Sequence, residues 1–486
     1  MMIFKTRIKV FIAVVVATGC LACLWSCKSK KTESTQDIPI ISKILSDVNS
    51  RFYMDFGKYP EQRKLLAIGI FDSGTGGLTV LEKFIVCDEY NNVTGEPQPD
   101  GIPDFEGEIF NYLGDNANMP YGNYSNENKN SYLRELIIKD ALFLLKDKPS
   151  KIIVVACNTA TAYGLGDIKT LLEKSGTGIK VIGVINAGVN ATLQPLDRNE
   201  DYAIGVLATA GTIASNAYER TILKTKDELG FKGNITVVNQ AGIGFAESVD
   251  GEKDYIDRSL LAMCDNYRGP VCGSSEQNIK QELLDVYNFD KTNGALFIKQ
   301  SEDGIRVQLN SSGNYARFHL VSLIEKYRQS GNTTPLKRII LGCTHYPYLL
   351  DTLNQVVTEL KNYTKNGEYI YKNLIADNFE FIDPALFTAK ECYEALKTNN
   401  LLNPQSTETV VTAYISIPAL DLPKDKLNDD GSISYSFKYG RNEGTEDITT
   451  IVVPFSRKYV GDDVLQRLAK LVPHSYALIK KTMEDF

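Results

Sequence analysis

The stretch AIGIFDSGTGGLTVL, residues 67–81, reads as an apolar strand, a turn of small residues and the start of a helix, and AIGVLATAGTIASNAY at 203–218 repeats that order. A second pair behaves the same way: KIIVVACNTATAY at 151–163 and RIILGCTHYPYL at 338–349. Each member of this pair has a basic residue, an apolar strand, then a cysteine and a threonine just past the strand's end. The succession strand-turn, strand-Cys, strand-turn, strand-Cys points to two related halves. Within each half, continuous apolar strands alternate with helical patterns such as SYLRELIIKDALFLL (131–145), as in parallel sheets joined by crossover helices. The expected fold is therefore α/β, with two pseudo-symmetric doubly wound parallel-sheet domains facing each other across a cleft. Ligands of such sheets collect at the carboxyl ends of the strands. Cys157 and Cys343 both fall there.

The repeats are unequally spaced: 90 residues separate Ala67 from Cys157, and 140 separate Ala203 from Cys343. The second half must therefore hold an insertion, and the polar stretch at about 253–320 is its expected place. A smaller, turn-rich one covers 88–108 by composition. The expected organisation is a signal peptide at 1–27, a tether and surface helix at 28–64, and a first domain at 65–187. A second domain spans 188–375, and residues 376–486 return to the first domain and extend beyond it, with strand-like YISIPAL and ITTIVVPF and a last helix from about Asp462. The surface helix is read from Ile41, Ile44, Leu45 and Val48, with Pro39 in its first turn.

Lys5, Arg7 and Lys9 precede an apolar run from Val10 to Ala17, which has the shape of a signal peptide. Its end, Leu24-Trp25-Ser26-Cys27, resembles a bacterial lipobox, so lipidation is expected at Cys27, with Cys20 and Cys23 as further candidates. Val10 to Trp25 falls short of the ~20 apolar residues that a membrane span needs. The expected location is the bacterial cell envelope, lipid-anchored and facing the periplasm or the surface. Among 486 residues, 43% are hydrophobic and the formal net charge is −7, which excludes wholesale disorder and gives no basic surface for nucleic acid. Beyond the signal segment lie Cys87, Cys157, Cys264, Cys272, Cys343 and Cys392, without a metal-binding spacing. Cys264 and Cys272 read either as a local disulfide or as two ordinary thiols. Cys87 and Cys392 sit in apolar helical patterns, as core cysteines do.

Asp72 ends a strand in FDSGTGG. The glycines lack the third position of a dinucleotide fingerprint, and no acidic residue closes a second strand about twenty residues on. A tight turn that places Asp72 and Ser73 at a cleft fits better, with helix-start amides available to an anion. Cys157-Asn158-Thr159 offers a thiol, an amide and a hydroxyl, and Cys343-Thr344-His345 offers a thiol and an imidazole. His319 and His474 lie in no motif. Two thiols on opposite faces of a bound carboxylate suit reversible proton transfer at carbon: one thiolate takes the α-proton while the other thiol supplies a proton to the opposite face. Asp72 and His345 are the natural tuning partners.

IGIFDSGTGGLTVL, YLGDNANMPYG, ACNTATA, the VIGVINAG run and LGCTHYPYL together resemble glutamate racemase, a member of the PLP-independent aspartate/glutamate racemase group, over about 67–390. The resemblance implies cofactor-independent racemisation of glutamate; no metal is expected either, since no metal-ligand spacing is present and two thiols need none. It implies that Cys157 acts on the D-enantiomer and Cys343 on the L-enantiomer. It also implies a glutamate site lined by Ser73, Asp115, Asn116, Tyr121, Gly122, Asn158, Thr159 and Thr344 beside Asp72 and His345, with a homodimer as a candidate assembly. This sequence departs from the family in three places. Asn116 and Asn118 stand where the family has threonine and arginine before the PYG turn. The family's glutamate after the fourth strand is best matched by Asp250, with Glu247 and Glu252 nearby. Gly242-Ile243 replaces a Cys-Pro. These departures bear on substrate preference and on the tuning of His345. The address departs as well, since such racemases serve wall-precursor synthesis in the cytoplasm.

Three other readings compete: racemisation of aspartate or another acidic amino acid, a solute-binding lipoprotein on the same fold, and a relative that decarboxylates or isomerises with one cysteine. The solute-binding reading leaves the set Cys157, Cys343, Asp72 and His345 without a task.

Overall fold

The computed structural model describes residues 38–301, 304–403 and 408–483. The signal segment, Cys27 and the tether up to residue 37 lie outside them. In chain order the strands are β1 (Ala67–Asp72), β2 (Ile109–Gly114), β3 (Ser150–Val155), β4 (Lys180–Gly183), β5 (Tyr202–Ala208) and β6 (Ile235–Ala241). Then come β7 (Leu296–Ser301), β8 (Gly304–Leu309), β9 (Leu336–Gly342), β10 (Thr364–Lys365), β11 (Glu368–Tyr369), β12 (Ile375–Ile382), β13 (Val410–Pro418) and β14 (Thr450–Pro454).

Two sheets carry the fold, ordered β14-β13-β2-β1-β3-β4 and β12-β9-β5-β6. Within the first, β2-β1-β3-β4 is parallel, and the second is parallel throughout and runs β6-β5-β9-β12 in the equivalent order. The duplicated motifs are thus duplicated strands: β1 answers to β5, and β3 to β9. Strands β1, β3 and β5 are buried end to end, and β9 at all positions but Lys337, because helices cover both faces of each sheet. One apolar cluster gathers Leu81, Phe84, Tyr112 and Val154 on one face of the first sheet. Another gathers Leu133, Ile137, Ile153 and Ile168 on the other face. Each fully buried side chain of this size contributes roughly 1.5–3 kcal/mol.

The helix Pro39–Ser46 starts on its proline and buries Ile40, Ile41 and Ile44 in the second of these clusters. Val48 lies past its end and is exposed, correcting its place on the apolar face. The second sheet keeps the chain to Ile382, after which Asp383 caps the helix Pro384–Thr398 through the amide of Ala385. That helix packs against Leu78–Val86 of the first domain. Strand β13 then joins β2 in parallel, and β14 closes the edge antiparallel.

The long insertion lies between β6 and β9 and holds the β7–β8 hairpin. It ends before Ser312 rather than near 320, because Ser312–Gln329 is a scaffold helix packed on β6. Two buried asparagines order its irregular backbone. Asn310 bonds the chain at Asp257 and Gly294, and Asn314 bonds it at Asp290 and Ala295, giving buried peptide groups the partners they need. Cys264 and Cys272 are free thiols here, so the local disulfide is not formed. Cys87 and Cys392 are buried in the core, Cys87 donating to Asp104 Oδ2 at 3.1 Å.

Candidate active site

Asp72 is the last residue of β1. Its Oδ2 accepts the amides of Gly74 at 3.1 Å and Gly77 at 3.0 Å, so the turn folds back over the carboxylate. A Cβ at Gly77 would sit 2.5 Å from the Asp72 Cβ, and only glycine permits that approach. Burial pushes the Asp72 carboxyl above its usual range, against the pull of those amides.

Cys157 stands just beyond β3 as the N-cap of the helix Asn158–Ser175. Its Sγ accepts the Ala160 amide at 3.4 Å and lies 3.6 Å from Ser73 Oγ. A helix N-terminus favours a thiolate by only about 0.3–1 kcal/mol. Burial, and after it the Asp72 carboxylate, win over that and push the thiol from 9.0 up to about 12. Cys157 is therefore a protonated thiol at neutral pH.

Cys343 holds the equivalent place after β9, and its Sγ lies 3.6 Å from His345 Nδ1. The other ring nitrogen, Nε2, meets Asp250 Oδ1 at 3.2 Å. Burial alone drives the imidazole down, but hydrogen bonds to Asp250 and to the Cys343 sulfur outweigh it and hold His345 at about 10. It is an imidazolium at neutral pH, with Thr344 Oγ1 3.4 Å from Nδ1.

The two cysteine-bearing strand ends meet. Asn158, next to Cys157, donates from Nδ2 to the carbonyl of Gly342, next to Cys343, at 3.2 Å, and its Oδ1 accepts from Tyr218 OH at 3.1 Å. Gly342 has no room for a side chain, since a Cβ would stand 2.7 Å from the Tyr218 ring. Asn158 therefore bridges the halves, and its amide is engaged between them. Ser73, Thr159, Thr344 and Gly122, also expected to line the site, are partly exposed.

Asp115 and Tyr121, expected to line the site, are buried just past the end of β2 and hydrogen-bonded to one another. Tyr121 OH lies 2.5 Å from Asp115 Oδ2 and 2.6 Å from Asp140 Oδ2, while Asn118 and Ser416 also donate to Asp115. One hydroxyl hydrogen cannot serve two carboxylates. Burial and the Asp115 charge push Asp140 well up, and the Tyr121 hydroxyl sits between the two carboxyl groups. These residues brace the PYG turn. Asn116 Oδ1 is buried with no hydrogen-bond partner. Arg441, from the C-terminal extension, donates to Asn118 Oδ1 at 2.6 Å. The roles of Asp140, Ser416 and Arg441 had no local signal in the sequence. Among the described residues, no group of three or more His, Cys, Asp and Glu side chains is placed to hold a metal ion.

Two repeated parallel sheets, each ending in a thiol beside an ionisable partner, place the chain in the aspartate/glutamate racemase group. Within that group it belongs to the glutamate racemase family. It is 37% identical to the glutamate racemase of Chlorobaculum parvum over 357 residues, 74% of this chain and 88% of that one. It is 27% identical to that of Geobacter metallireducens over 354 residues, 73% and 88% of the two chains. Over 293 residues it is 28% identical to that of Oceanobacillus iheyensis, 60% and 72% of the two. No family model matches the chain. Among solved structures, a glutamate racemase isoform from Bacillus anthracis aligns over 72% of this chain and 88% of its own, at 22% identity and a TM-score of 0.42.

Proposed function

We propose that this protein is a glutamate racemase that interconverts the enantiomers by two thiols, without PLP. The observation that carries the reading is the junction at Asn158, which joins the backbone beside Cys157 to the backbone beside Cys343. In the L-to-D direction the Cys343 thiolate takes the α-proton, forming S–H, and the C–H electron pair spreads into the α-carboxylate. The Cys157 thiol then gives its proton to the opposite face, and its own electron pair remains on sulfur. Exchange with solvent resets both groups. The protonated Cys157 and the imidazolium beside Cys343 fit the start of this direction. Purified protein without PLP should racemise L- and D-glutamate faster than L- and D-aspartate. A preference for aspartate would reassign the substrate, and binding without turnover would remove the enzyme.

Lipid anchoring at Cys27 in the cell envelope belongs to the same proposal and rests on the basic start, apolar run and LWSC end of the sequence. Expression of a Cys27→Ser variant in a Gram-negative host should abolish labelling by a fatty-acid analogue. Continued labelling would move the site to Cys20 or Cys23.

A further inference from the structure

The C-terminal extension lies beyond the 67–390 stretch that carries the family resemblance, yet its penultimate helix reaches the acid/base group of the second half. The helix Pro473–Thr482 is fixed to the first domain, packing on Leu78–Val86 and on β13. Buried Glu82 accepts the amides of His474 and Ser475, at 3.1 and 2.8 Å, together with the Ser475 hydroxyl. The preceding helix, Asp462–Leu471, makes two contacts with the second half. Tyr348 donates to the carbonyl of Leu471, the helix's last residue, at 2.5 Å, giving a helix-end acceptor its partner. One helical turn earlier, Arg467 Nε stands 4.0 Å from Asp250 Oδ1.

That oxygen is the same one that His345 Nε2 meets at 3.2 Å. A guanidinium and an imidazolium thus share one carboxylate oxygen. We infer that Arg467 is a positioning residue for the His345–Asp250 pair, supplied by the extension to set how strongly Asp250 holds the proton on His345. Arg467 draws on the Asp250 charge and repels the imidazolium, so it weakens the grip of the carboxylate on the proton that His345 shares with Cys343. The other charged or titratable groups around the pair are Cys343, Tyr346 and Tyr348 on its own segment, and Glu247 and Glu252 near Asp250, with Arg268 beside Glu252. Arg467 is the member of this set that comes from the opposite domain. The inference rests on the two-thiol reading of the site, but its electrostatic part does not depend on turnover.

The chain has three histidines, so the full-length protein labelled with ¹⁵N-histidine gives few enough imidazole signals to assign by substitution. His345 should titrate higher in Arg467→Gln than in the wild type, by about half a pH unit for a part-exposed charge at this range. Arg467→Lys should return most of that shift, and the alkaline limb of the racemase pH profile should move with it. The Arg467 side chain is 37% exposed, so both variants should fold, and matching urea transitions check this. An unchanged midpoint in Arg467→Gln, or one that lysine fails to restore, overturns the proposal. A wild-type protein without racemase activity would instead overturn the proposed function and leave the titration readable.

Discussion

Cys157 and Cys343 end equivalent strands of the two halves, yet the groups beside them have opposite chemistry. Burial, and after it Asp72, keeps the Cys157 thiol protonated, whereas Cys343 has an imidazolium at 3.6 Å, held by Asp250. Duplication supplies the placement, and the partner residues supply the asymmetry. A racemase needs one acid and one base at any instant, so two identical ends would serve it less well than two that differ.

The largest test removes either end. Cys157→Ser and Cys343→Ser should each lower kcat/KM by about 10²–10⁴-fold in both directions, as loss of a positioned acid or base does. Chiral chromatography of glutamate from either enantiomer measures it. Substantial activity in one mutant alone would break the comparison.

The next test separates the halves by pH. Because His345 is raised in the folded state from 6.5 to about 10, its contribution to stability is complete below about pH 6.5 and is lost as pH climbs through 10. That contribution is on the order of a few kcal/mol. The Cys157 thiol, raised from 9.0 to about 12, loses its contribution only above pH 9. Urea titrations between pH 6.5 and 9 should therefore show a decline in the wild type that His345→Asn flattens. An equal slope in both proteins would remove the imidazolium from the account.

Asp72→Asn sharpens the other end. With the carboxylate charge removed, Cys157 should alkylate faster with iodoacetamide at pH 8, by roughly tenfold for each pH unit that its thiol falls. Peptide mapping reads the rate at Cys157, and an unchanged rate would leave burial as the sole cause. The smallest expected effect is at the seam. Asn158→Ala removes the bonds to Gly342 and Tyr218 and should destabilise the protein by about 1–3 kcal/mol, seen as a lower urea midpoint. No change would show that Asn158 does not brace the halves.

Much of this was legible in the sequence because it was written twice. The paired strand-turn and strand-Cys motifs gave the two sheets, and the uneven spacing located the insertion between β6 and β9. The positions of Asp72, Cys157, Cys343 and His345 were readable because each lies within a few residues of a strand's carboxyl end. The family motif marks the PYG turn without saying which residues hold Asp115 and Tyr121 in place. Their partners Asp140 and Ser416 are 19 and 301 residues away. Arg467 was beyond reach for the same reason, since 217 residues separate it from Asp250 and only the folded chain brings them together.

The central claim is that two thiols work on opposite faces of one carbon, and the fate of the α-hydrogen tests it most directly. In D₂O, early turnover from L-glutamate should place deuterium at Cα of the D-product while recovered L-glutamate stays largely protiated, with the mirror pattern from D-glutamate. Deuterium entering recovered substrate from both enantiomers as fast as racemisation proceeds would contradict the account and leave a single base in its place.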